Sequence, residues 1–108
     1  MQITTTEKII GQKILENKAA IFSEQVRSVN LLKDALSGLK SMFGGKSSAY
    51  EQEYRLGREG AIQELEAQAH RLGGNGIVGL RLNYSQLINS DIMLIVVTAS
   101  GTVVKLER

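Results

Sequence analysis

The octet Gly44-Gly45-Lys46-Ser47-Ser48-Ala49-Tyr50-Glu51 holds the residue types most able to do chemistry in this chain. A glycine followed by Lys-Ser superficially ends a phosphate-binding loop, in which backbone amides and a lysine surround a phosphate. The spacing refuses that reading. The motif needs a glycine five residues before its last one, where this chain has Lys40, and a strand ahead of it, where an amphipathic helix is expected. A simpler chemistry survives. Ser47 and Ser48 suit the cap of a helix N-terminus, whose unpaired amides and dipole favour negative charge. Lys46, Ser47, Ser48, Tyr50 and Glu51 therefore form a candidate anion or ligand site, alongside the plain structural role of a cap.

His70 is the one imidazole in the chain, and Glu66 precedes it by one helical turn, so the two offer a pair of candidate metal ligands on one face. Zinc and copper sites ask for several imidazole or thiolate ligands, and there is no Cys. A metal site would thus require half-sites from more than one subunit, against the ordinary alternative of a solvated histidine at a charged helix end. Carboxylate-only cation binding by Glu16, Glu24, Glu51, Glu53 or Asp91 depends on geometry. A Ser-His-acid triad would have to recruit His70, and no Gly-x-Ser-x-Gly elbow exists. Lys46 and Ser47 are neighbours on a turn and rarely point at one another. No catalytic residue and no cofactor is identified, and the expectation is a protein without enzymatic activity.

Periodicity supplies the elements that position these residues. Leu32, Ala35, Leu36, Leu39 and Phe43 share one face of a predicted amphipathic helix over Val29–Phe43, ending at Gly44. A second helix is predicted from about Ala49 to Leu72. Its stripe Tyr50, Tyr54, Gly57, Ala61, Leu65, Ala69, Leu72 is small in the middle, which invites another backbone to approach closely. Glu51 with Arg55, Arg55 with Glu59, and Glu66 with His70 have the spacing of exposed i,i+4 pairs.

Gly73-Gly74-Asn75-Gly76 reads as a helix stop. The period then changes to two. Val78, Leu80, Leu82 and Tyr84 alternate with Gly79, Arg81 and Asn83, a strand with one wet face. Beyond a polar loop at Asn89-Ser90-Asp91, the run Ile92 to Val97 is apolar on both sides, as in a central, covered strand. Gly101 is expected to mark a bulge or bend before Thr102–Leu106. Residues 14–26 fit either state, since Leu15, Ala19, Phe22 and Val26 make a helical stripe while Ala19–Phe22 suits a strand core; periodicity leans to helix.

The chain of 108 residues reads as one α+β domain spanning 1–108. Hydrophobic residues make up 43% and charged residues 22%, a globular rather than a disordered balance. The net charge of +2 is mild, its basic residues are dispersed, and there are only three Tyr and two Phe, so a nucleic-acid partner is not expected. Met1-Gln2-Ile3-Thr4-Thr5-Thr6 lacks the form of an export signal, and Ile92–Val97 is far short of the roughly 20 apolar residues that cross a bilayer. A cytoplasmic protein without a membrane partner is the expectation.

From Gly44 onward the order of features resembles the YbjQ-like family, whose members carry a heavy-metal-binding label. The octet Gly44–Glu51 is similar to the family's Gly-Gly, basic, Ser, small, Ala-Tyr-Glu signature. Leu72-Gly73 with Ile77-Val78-Gly79, and Met93-Leu94 with Ser100-Gly101-Thr102, are similar to its strand and turn elements. The resemblance implies a strand rather than a helix over residues 14–26. It also implies a small antiparallel sheet with two helices packed on it, dodecin-subunit-like, assembled as a homopentamer or a decamer of two pentamers. Neighbouring subunits would then cover the doubly apolar last strand. Where the family commonly has Gly-Glu this chain has Ser23-Glu24, and Asn83 stands where an acidic residue is often found, which leaves fewer carboxylates for a metal.

Overall fold

The computed structural model describes residues 1–30, 48–89 and 91–107, with the backbone alone for 48–50. A two-residue strand β1 (Gln2–Ile3) is followed by the long strand β2 (Ile14–Asn30). Helix α1 (Ser48–Arg71) then leads to a hairpin of β3 (Gly76–Asn89) and β4 (Ile92–Leu106). The sheet order is β1-β3-β4-β2. β4 pairs antiparallel with both of its neighbours, and β1 lies parallel to β3.

This corrects the expected fold. The sheet is mixed rather than antiparallel, and among the described residues it carries one packed helix, not two, so the dodecin-subunit-like arrangement does not hold. The predicted helix over Val29–Phe43 is overturned at its start: Val29 and Asn30 end β2, with Val29 buried opposite Met93. Residues 31–43 lie outside the described residues. The helical lean over 14–26 also fails, and the strand implied by the resemblance is present. Leu15, Ala19, Phe22 and Val26 mimic a helical stripe. Pairing along almost the whole of β4 outweighs that local preference, because each added pair satisfies backbone groups and buries side chains between strands.

α1 covers one face of the sheet. Ala61, Leu65 and Ala69 are fully buried against Ile21, Ile77, Ile95, Val97 and Val103, and sealing Leu65 alone contributes about 2 kcal/mol. The small-residue stripe is what brings helix and sheet together: a Cβ added at Gly57 would lie 2.8 Å from Val97 Cγ2. Among the described residues the ion pairs fall elsewhere than at the expected i,i+4 positions. Arg27 Nε on β2 meets Glu53 Oε2 on α1 at 2.6 Å, and Arg71 meets Glu64 at 3.4 Å.

The helix stop behaves as its residues require. The Gly74 amide donates to the Ala69 carbonyl and the Gly73 amide to that of His70, with Gly73 at φ 78°, the paired bonds of a Schellman cap. Asn75 then ties the turn to β4, donating from Nδ2 to the Leu106 carbonyl and accepting from its amide at 2.6 Å. The bulge expected at Gly101 is present on its β3 side: β4 keeps register with β2 through Gly101, but Val78 pairs with Thr102 and Arg81 with Ser100, so the extra residue lies on β3 opposite Gly101, where Gly79 takes φ 65°. A Cβ at Gly101 would lie 2.7 Å from Ile77 Cγ2.

Among the described residues the second face of the sheet is sealed only at its base. There Val78, Val104 and Leu106 pack with Ile9 and Ile14. Farther along, Phe22, Val26 and Leu87 are exposed by 66%, 62% and 63%, and Leu94 and Val96 are half-buried between them.

Candidate functional site

The two candidate sites sit at opposite ends of α1. Lys46 and Ser47 lie outside the described residues. Ser48 opens the helix and Tyr50 stands in its first turn, their side chains also outside the described part. Glu51 is exposed in that first turn, where a carboxylate complements the positive end of the helix dipole. At the other end Glu66 is half-buried and His70 exposed, with His70 and Arg71 matching the negative end. Nineteen residues at 1.5 Å each separate Glu51 from His70 by about 28 Å, so one copy cannot join the two into a single site.

His70 borders a cleft of about 600 Å³ between the helix C-terminus, the first strand and the end of β4. Gln2, Gln12, Asn75 and Lys105 share its walls, and among the described residues no carboxylate lines it. Lys105, the imidazole and the carboxamides of Gln2 and Gln12 can attract and hydrogen-bond an anion or a polar group, while that of Asn75 is engaged with Leu106. They offer no nucleophile with a base beside it. The amides of Gly73, Gly74 and Asn75 are already spent on carbonyls of the helix end and of Val104. Glu66 is not among the lining residues, although it stands one turn from His70. Among the described residues no group of three or more His, Cys, Asp or Glu is placed to hold a metal ion.

The cleft unites residues from both ends of the chain, Gln2 and Lys105, and no local spacing announces that. The apolar patch on the second sheet face is legible in part, from the doubly apolar run of β4, while Phe22 and Val26 fit a helical stripe as well as a strand. In a strand their even spacing sets them on the face opposite Ile21, Ser23 and Val29. Among the described residues no helix is long and apolar enough to cross a membrane.

The chain is similar to proteins of uncharacterised families. A UPF0145 protein of Clostridium botulinum (strain Alaska E43 / Type E3) is 44% identical over 107 residues, which are 99% of this chain and 100% of that one. A UPF0145 protein of Listeria monocytogenes serotype 4a (strain HCC23) is 40% identical over 107 residues, 99% of this chain and 96% of its own. Among solved structures, a protein of unknown function in the DUF74 family from Pediococcus pentosaceus superposes with a TM-score of 0.67 at 23% identity, covering 99% of this chain and 98% of that one, a likeness of fold alone. The family model described as "Putative heavy-metal-binding" matches residues 1–107, and the chain belongs to that family, YbjQ.

Proposed function

We propose that this protein is a non-enzymatic, cytoplasmic binding or scaffold protein that works as a closed homo-oligomer, a pentamer or a pair of pentamers. The observation that carries the reading is the half-open sheet. One face is sealed by α1, while the other leaves Phe22, Val26 and Leu87 more than 60% exposed around Leu94 and Val96. A contiguous apolar patch of this kind on a small domain marks an interaction surface, because leaving it wet forfeits about 25 cal/mol for each Å². Light scattering or native mass spectrometry at micromolar concentration tests the proposal. A single closed species of five or ten copies is the expected result, and a monodisperse monomer overturns it.

A second reading follows from the family description and from the cleft at His70: a metal-ion or anion-binding module with sites at subunit seams. Lys105 and His70 lining the same cleft favour an anion, and a metal would draw further ligands for Glu66 and His70 from a neighbouring copy. The octet at the start of α1, with Glu51 exposed, is the other candidate seam. Melting the protein with zinc, copper or phosphate discriminates, since a ligand bound only by the folded state raises Tm. A flat response to all three overturns this second reading.

A further inference from the structure

Among the described residues no strand covers the outer edge of β2 or the greater part of that of β3, and we propose that these edges pair with each other between copies: the outer edge of β2 in one copy takes the outer edge of β3 from the next, parallel, so that the sheet runs on from copy to copy. This rests on the homo-oligomeric reading and deepens it by naming the seam. In the order β1-β3-β4-β2, no strand among the described residues lies beyond β2. On the other side, β1 covers β3 only at Gly76 and Ile77. The following segment extends that cover to Leu80, since the Gly79 amide donates to the Thr6 carbonyl at 2.8 Å and the Leu80 amide to that of Thr4 at 3.0 Å. From Arg81 onward no described strand lies alongside.

Proteins guard exposed edges with bulges, charges or proline, because unpaired amides and carbonyls are a template for another strand. Here the bulges are confined to the base, and the charges at the solvent face farther along, Glu24 on β2 and Arg81 on β3, are of opposite sign. The register shifts of β2 fall between Ile14 and Glu16 and between Asn17 and Ala19, beside the Lys18–Glu16 ion pair. Beyond Ala19 the register is unbroken, as it is in β3 beyond Arg81, and the chain has no proline. Phe22 and Arg81 share Ser100 as their partner on β4, and Val29 and Ile88 share Met93, so the two unguarded runs are level and equally long. The Phe22 carbonyl accepts from Gln68 Nε2 at 2.8 Å, which leaves the run to begin just above it.

A second copy is the occupant these edges fit. Both strands run antiparallel to β4 and hence parallel to each other, so one repeated rotation brings each β3 beside the next β2 in the same orientation. Such a head-to-tail contact closes into a ring when the rotation allows. A copy placed level with the first sets Arg81 diagonal to Glu24, of opposite charge, and Leu87 diagonal to Val26, both exposed on the same open face.

The chain's lack of cysteine makes the test clean. Glu24→Cys is combined in turn with Arg81→Cys, Asn83→Cys and Ser85→Cys, and each variant is oxidised and run without reductant. Within one copy β4 lies between β2 and β3, which holds Glu24 roughly 9–10 Å from Asn83 and farther still from Arg81 and Ser85, too far for a disulfide. At least one double variant is expected to give a ladder of linked copies, while each single variant stays unlinked. All three doubles remaining unlinked, with light scattering showing the oligomer intact, overturns the edge pairing and leaves the oligomer standing. Linked dimers from Glu24→Cys alone overturn it in favour of two-fold β2 pairing. A monomeric parent chain removes both the seam and the reading beneath it.

Discussion

The Ser23 hydroxyl donates to the Ala61 carbonyl at 2.7 Å, a buried bond from the middle of β2 to the middle of α1. It anchors the helix where its small residues leave little side chain to grip. The Ala61 carbonyl also serves the helix ladder, so Ser23→Ala removes one bond without orphaning its acceptor. The expected loss is about 1 kcal/mol in urea unfolding at fixed protein concentration. An unchanged midpoint would show that the bond adds nothing to stability.

The two glycines on α1 should respond to alanine with opposite signs. At Gly57 the new Cβ meets the Val97 methyl at 2.8 Å, and a β-branched side chain on a packed strand cannot turn away. At Gly60 it meets the end of Gln25, also at 2.8 Å, which can swing aside. Gly57→Ala is expected to cost about 1 kcal/mol or more despite its better helix propensity, whereas Gly60→Ala is neutral or gains up to about 1 kcal/mol. Parallel thermal melts of the two variants decide the order.

The helix stop gives a second contrast. Gly73 sits at φ 78° with room around it, so Gly73→Ala pays only the left-handed strain of about 1–2 kcal/mol. A Cβ at Gly74 would overlap the Val103 side chain and stand 3.1 Å from the Val104 carbonyl oxygen, which is backbone and fixed in the sheet. Gly74→Ala is expected to destabilise by more than Gly73→Ala, about 2 kcal/mol or above, read as the difference in denaturation midpoints.

Tyr54 on α1 and Tyr84 on β3 meet edge to face, their ring centroids 5.7 Å apart and their planes at 68°. A double-mutant cycle with Tyr54→Ala and Tyr84→Ala should return a coupling of about 0.5–1.5 kcal/mol. Because the contact is ring against ring, Tyr84→Phe is expected to preserve it. Additive single losses would remove the contact from the account of how the upper helix is held.

How far the sequence can be read depends on how local the determinant is. The stop at Gly73-Gly74, the alternation of Leu80 to Tyr84 and the small stripe through Gly57 and Ala61 each express backbone and side-chain preferences within a few residues, and all stand in the structure, whereas the bulge at Gly79 turns Val78 to the other face. The state of residues 14–30 is different. Phe22 and Val26 fit a helix as well as a strand, and only the long ladder with β4 selects one. The candidate sites divide the same way: Glu66 and His70 follow from helical spacing, while the cleft that sets His70 near Lys105 and Gln2 follows from topology.

By itself the sequence determined where the chain turns, where a helix ends and which helix face must be thin, since these are matters of allowed backbone angles and side-chain size at neighbouring positions. Tertiary structure alone decided that β1 returns parallel to β3, that the described residues leave part of one sheet face exposed, and that Ser23 reaches Ala61. Those outcomes join residues tens of positions apart, and they exist only once the entropy of closing such loops has been offset by the surface that pairing buries.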